Sequence, residues 1–262
     1  YTNFSASFVE CQLRGKTGSL PVQQKIADQY FKKGEEKAYA LPNRGPIRFT
    51  EDGAVHRDII SAYWRYGFYV LEGLIQPGEV DDLVTDFNEV MDRAPKNSNT
   101  KLDAKGRPSV AVQFERATFQ FAKPLSDPMG GTDATGGRYP IKMKEFKAPE
   151  HAPDQVVLQI SGSLQLMDSN LRLYGHPELL RVAEAINGAD FVPFTDAVWV
   201  KPAHYGAAVS WHQDGVTHWE HPDLDSGTHG FNFMAQLYPT DALNALWIIP
   251  GSHNKGKVIS NN

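Results

Sequence analysis

Hydrophobic and polar positions change rhythm twice along this 262-residue chain. Residues 1–49 hold no sustained period and read as an irregular arm with one helix near residues 22–33, broken by the Pro42, Gly45 and Pro46 stretch. From residue 50 the pattern sharpens into a second unit, 50–262. Thr50-Glu51-Asp52 can cap a helix running to about Arg65, Gly67 stops it, and residues 68–71 read as a short strand. Pro77 suits the first position of a helix, and Val80, Leu83, Val84, Phe87, Val90 and Met91 then recur at three- and four-residue steps. Such a stripe predicts core packing rather than chemistry. Residues 177–186 form another helical stretch, closed by Asn187-Gly188.

Between these helices, residues 94–155 lose periodicity and fill with Pro, Gly, Lys and Asp. The glycine-rich run from Met129 to Arg138 lacks the Gly-Lys-Ser/Thr ending of a phosphate-binding loop, and is either a lid or a surface insertion. After Gly188 the texture turns to β. Residues 191–201, 207–213, 231–238 and 245–249 are short apolar runs divided by turn residues, a spacing that suggests an antiparallel barrel or jelly roll. The expected fold is therefore mainly β with flanking helices, an α+β arrangement in which helices come first and strands later.

Composition narrows the classes. The net charge of −5 gives no electrostatic footprint for nucleic acid, and no apolar run approaches the roughly 20 residues that span a bilayer. Nor does a charged-then-apolar leader open the chain. A lone cysteine, Cys11, rules out an internal disulfide and fits a reducing, cytoplasmic compartment. The chain starts at Tyr1 and ends at Asn262 without an evident closing element, which reads as a fragment.

Histidine is unevenly spread: six of nine, His204, His212, His218, His221, His229 and His253, fall in the last 60 residues. The pattern His-x-Asp occurs three times, at His56/Asp58, His212/Asp214 and His221/Asp223. Residues i and i+2 point the same way on a strand but diverge by about 200° on a helix. His56 and Asp58 fall in a predicted helix, and His221 and Asp223 flank a proline in a loop. Only His212 and Asp214 end a β-like run, just before Gly215. One imidazole and one carboxylate make two-thirds of the two-His, one-carboxylate set that leaves three open positions on non-haem Fe(II). A hydrogen-bonded His–Asp pair at a strand end satisfies the same spacing.

Two motifs in order carry a resemblance. Lys201-Pro202-Ala203-His204-Tyr205-Gly206 leads into Trp211-His212-Gln213-Asp214, and Leu246-Trp247-Ile248-Ile249-Pro250-Gly251-Ser252-His253 follows. Together with the stretch from Gly67 to Ile75 and the helix before Gly188, they resemble the phytanoyl-CoA dioxygenase family of Fe(II)/2-oxoglutarate oxygenases, from about residue 50 to 257. The resemblance implies a double-stranded β-helix of the cupin (jelly-roll) type, with its C-terminal strands missing from this chain. It implies Fe(II) held by His212 and Asp214, 2-oxoglutarate as cosubstrate with Gln213 beside it, and O2 and a small molecule as further partners. The carboxylate of Asp214 fills the position that related halogenases leave open for chloride, so hydroxylation is implied. Gln236 and Lys201 are further candidate cosubstrate contacts.

The chain also departs from the family. A second histidine ligand and an arginine for the far carboxylate of 2-oxoglutarate belong downstream of the Pro-Gly-Ser-His turn, and only nine residues follow His253. His253 is a disfavoured substitute, because the matching histidine of that turn is not a ligand. Two other readings stand beside the oxygenase: a cupin-like metal protein of another activity, and an inactive scaffold.

Overall fold

A computed structural model describes residues 4–7, 20–132, 138–214, 230–242 and 244–255. The longest helix, α1 (Leu20–Ala40), contains the predicted 22–33 stretch and extends well past it. The short strand β2 (Arg44–Gly45) then runs parallel to β3 (Val70–Leu71). Buried Asn43 braces this pair by donating its side-chain amide to the Phe68 carbonyl at 3.1 Å.

Helix α2 (Arg57–Tyr66) starts later than predicted. Thr50 instead closes a turn, accepting from Gly53 N at 2.9 Å and donating its backbone N–H to the Ala54 carbonyl at 2.8 Å. The cap is His56, which accepts from Asp58 N through Nδ1 at 3.4 Å. At the other end Gly67 takes φ +83°, a left-handed conformation that a side chain would disfavour. Helix α3 (Pro77–Asp92) begins at the predicted proline, and the Gln76 N–H is satisfied by Glu79 Oε2 at 2.7 Å.

Two hydrophobic clusters follow from these helices. Val90 and the adjacent Ala94 pack with Phe119, Val157, Ile160, Met167 and Val200. Ile59 of α2 packs with Val55, Val182 and Ile186, the last two on α5 (Pro177–Asn187), and Phe231 covers them. Ile160 is fully buried, a contribution of roughly 2–3 kcal/mol from its side chain alone. Asp86 of α3 accepts from Ser169 N at 2.9 Å, tying α3 to α4 (Asp168–Tyr174).

The middle of the chain holds more structure than its composition suggested. Strands β4 (Phe119–Ala122), β5 (Val156–Ser161) and β6 (Ala197–Trp199) form an antiparallel sheet in the order β4-β5-β6. A second antiparallel sheet has the order β7-β1-β8, from β7 (His212–Gln213), β1 (Phe4–Ser7) and β8 (Leu246–Ile248). The arm expected to be irregular thus supplies a central strand: Ser5 pairs with His212 on one side and Ile248 on the other. Helix α1 covers β8, with Tyr30 stacked on Trp247 at 5.4 Å and Phe31 edge-on at 6.1 Å.

Helices and antiparallel sheets are therefore both present, but helical residues outnumber strand residues, and the described strands do not close into a barrel. Residues 231–238, read as a strand, run largely exposed without ladder partners. Of residues 191–201 only Ala197–Trp199, and of residues 207–213 only His212–Gln213, lie in sheets. Among the described residues no helix is long and apolar enough to cross a membrane.

Candidate active site

Backbone bonds bring two distant segments together around His212. Residues 122–127 run beside 205–208: Leu125 N donates to the Tyr205 carbonyl at 3.2 Å, and Ala208 N donates to the Ser126 carbonyl at 2.7 Å. Ala122, Leu158 and Ala207 pack beneath this seam. The seam ends at Asp127, which has no exposed surface. Its carboxylate accepts from Gly130 N at 3.0 Å and from Met143 N at 2.7 Å, and its own N–H donates to Glu145 at 3.0 Å. Asp127 thus fixes both feet of the excursion between residues 127 and 145. Gly130 is required there, since a Cβ would overlap the Asp127 carboxylate and stand 2.6 Å from the Ile141 carbonyl.

That excursion delivers Arg138 and Tyr139 to the predicted pair. Tyr139 is 3% exposed, and its ring lies 4.6 Å from the His212 ring, tilted by 34°. Burial raises the Tyr139 phenol pKa, with Arg138 opposing the shift. The Arg138 guanidinium contacts Asp214 Oδ1.

His212 is itself buried, and its Nδ1 lies 2.9 Å from the Ser210 carbonyl. A carbonyl only accepts, so Nδ1 carries the proton. In the neutral ring Nε2 is then a lone-pair donor atom. It faces Asp214 Oδ1 at 3.4 Å. Two acceptors at this range can share a cation, either a proton that makes the ring imidazolium or a metal ion, while Arg138 balances the carboxylate charge. The backbone carbonyl that fixes the tautomer is the usual outer partner of a metal-bound histidine. The donor set therefore fits a divalent metal with nitrogen and oxygen preference. Among the described residues no third His, Cys, Asp or Glu joins the two in a cluster.

The other candidates sit as follows. Gln213 pairs through its backbone with Phe4, and its side chain lies outside the described atoms. Gln236 is exposed in the strandless 231–238 segment. Lys201 follows β6 and is exposed as a residue, while loss of water around its ammonium lowers its pKa to about 8. His253 is buried at 3% and donates through Nε2 to the Trp64 carbonyl at 2.7 Å. His218, Trp219, His221, Asp223 and His229 lie outside the described residues. At the first His-x-Asp, the assumption of helical divergence fails: His56 is a cap, so its Nδ1 does approach Asp58 Oδ2, at 3.4 Å. There Asp58 is exposed and meets Arg48 at 3.3 Å, so that pair is a surface helix cap. A groove lined by Asp52, Arg57, Ile60, Arg181 and Glu184 includes neither His212 nor Asp214.

Sequence reasoning missed Arg138, Tyr139 and Asp127. Local sequence gives no period that would aim residue 138 at residue 214. The Asp127-to-Gly130 spacing of an Asx-type turn was the one available signal.

Comparison with known proteins identifies the family. The family model for phytanoyl-CoA dioxygenase (PhyH) matches residues 63–261, and the chain belongs to that family. Within it, an L-proline trans-4-hydroxylase from Streptomyces griseoviridis is 36% identical over 88 residues, 33% of this chain. The aligned stretch spans 32% of that enzyme's length. No solved structure matches.

Proposed function

We propose that this protein is an Fe(II)/2-oxoglutarate-dependent dioxygenase that hydroxylates an unactivated carbon of a small molecule. The balance is one C–H substrate, one O2 and one 2-oxoglutarate giving one alcohol, one succinate and one CO2. The observation that carries this reading is the approach of two acceptors, His212 Nε2 and Asp214 Oδ1, at 3.4 Å, with the histidine tautomer set by the Ser210 carbonyl. Family membership supports an oxygenase as the use of such a pair.

In this reading His212 and Asp214 hold Fe(II), which when bound supplies the oxidising chemistry and leaves faces open for cosubstrate and O2. Tyr139 packs over the His212 ring and keeps it from turning. The apolar seam of Ala122, Leu158 and Ala207 lies beneath the segment that leads to His212. The third ligand comes from outside the described residues. We place it, with the arginine for the far carboxylate, downstream of the Pro250–His253 turn. The hydroxylase named above acts on L-proline, so small amino acids are the first compounds to assay.

The test is spectroscopic. Anaerobic Fe(II) with 2-oxoglutarate should give the weak visible charge-transfer band of the chelate in the full-length protein. His212→Ala and Asp214→Ala should each abolish it, together with succinate release. Retention of both signals in Asp214→Ala overturns the assignment.

A further inference from the structure

The excursion from Asp127 sets two consecutive residues against the two members of the metal pair: Tyr139 against His212 and Arg138 against Asp214. The Arg138 contact is to Oδ1, the same oxygen that faces His212 Nε2. We infer that Arg138 is a carboxylate-binding residue of the metal centre, and that in the metal-free chain it holds Asp214 in the metal's place. The inference rests on the metal reading given above.

Charge decides the direction. With His212 neutral, Asp214 and Arg138 cancel. A divalent ion on Asp214 Oδ1 brings two positive charges against the guanidinium, and like charges repel at this range. Arg138 then turns away from Asp214. Its side chain is only 29% exposed in contact with Asp214, so the guanidinium starts from a partly desolvated setting next to the pair. Asp214, Arg138 and the ion together then carry two net positive charges. An anion bound there neutralises them, and a guanidinium is shaped to take a carboxylate through two parallel hydrogen bonds. The backbone does not have to travel: Asp127 holds both feet, and the Tyr139 carbonyl accepts from Gly131 N at 2.8 Å. Rotation about the Arg138 side chain suffices.

Two carboxylates meet the description, that of 2-oxoglutarate and that of an acidic or amino-acid substrate. The same chemistry serves both, and the experiment separates them. Mn(II) affinity of the full-length protein is measured by titration in wild type, Arg138→Gln and Arg138→Lys. Removing the competing guanidinium should tighten Mn(II) several-fold in Arg138→Gln, while Arg138→Lys stays near wild type. Affinity for a carboxylate should move the opposite way. With Mn(II) bound, Arg138→Gln should weaken 2-oxoglutarate about ten-fold if the cosubstrate is the partner. If the substrate is the partner, 2-oxoglutarate binding holds and L-proline loses its advantage over L-prolinamide.

Opposite signs for metal and carboxylate are the signature; a purely structural arginine would weaken both together. Unchanged Mn(II), 2-oxoglutarate and L-proline binding in Arg138→Gln overturns the inference, and so does a parallel loss of all three. If wild type binds no Mn(II), the metal reading itself fails, which is a distinguishable outcome.

Discussion

His212 and His253 are the buried histidines among the described residues, and each gives one ring nitrogen to a backbone carbonyl. The likeness ends there. His212 uses Nδ1, which aims Nε2 at Asp214. His253 uses Nε2 to satisfy the Trp64 carbonyl in the last turn of α2, where helix carbonyls lack intrahelical partners, and Gly251 N does the same for Tyr66 at 2.8 Å. His253→Ala should therefore cost about 1–3 kcal/mol of stability, the penalty of stranding a buried acceptor, and leave Mn(II) affinity unchanged. Thermal melts and metal titration on the same sample check this; a metal loss without a stability loss would make His253 a ligand. The sequence separated these two histidines through motif context, since spacing alone treats each as one more histidine in a rich segment. It failed at His56, because whether a residue caps a helix or lies inside it depends on where the turn at Thr50 closes.

At the scale of elements, legibility followed the source of each element's stability. Helices α3 and α5 carry their own start and stop signals, a proline at the first position and a regular apolar stripe, so local sequence suffices. Strands β4 and β5 gain theirs from each other and from the core around Ile160, across a chain separation filled with Pro, Gly and Lys. No window of neighbouring residues reports such a pairing. The excursion between them is illegible for the same reason, although its anchor is a single residue. Asp127→Ala removes the acceptor for both Gly130 N and Met143 N and should cost on the order of 2–4 kcal/mol, each stranded donor counting about 1–2. Because the same feet hold Arg138 and Tyr139, Mn(II) affinity should shift along with the melting temperature. Gly130→Ala should reproduce the effect through its overlap with the Asp127 carboxylate. A variant that melts early yet binds Mn(II) as wild type would show that the excursion does not position the site.

Across the whole molecule, the expectation of helices first and strands later fails in order as well as in proportion: β1 to β5 all precede α4 and α5, and the strand-like runs after Gly188 reach few ladder partners among the described residues. What they do reach is informative. His212 stands on a strand whose neighbour, β1, comes from the far end of the chain, and β8 flanks it with the Pro250–His253 turn leading away toward α2. That path carries His253 to the carbonyl of Trp64, so the turn closes on a helix end rather than on His212 and Asp214. The third ligand is then sought among histidines whose positions the described residues do not include. Within this chain those are His218, His221 and His229; the position proposed above, downstream of the Pro250–His253 turn, lies later still. Alanine at each of the three, in the full-length protein, should leave Mn(II) affinity within about two-fold, whereas His212→Ala should lower it by more than ten-fold. A ten-fold loss at His218, His221 or His229 would instead complete the triad inside this chain and displace the downstream histidine from the role proposed for it.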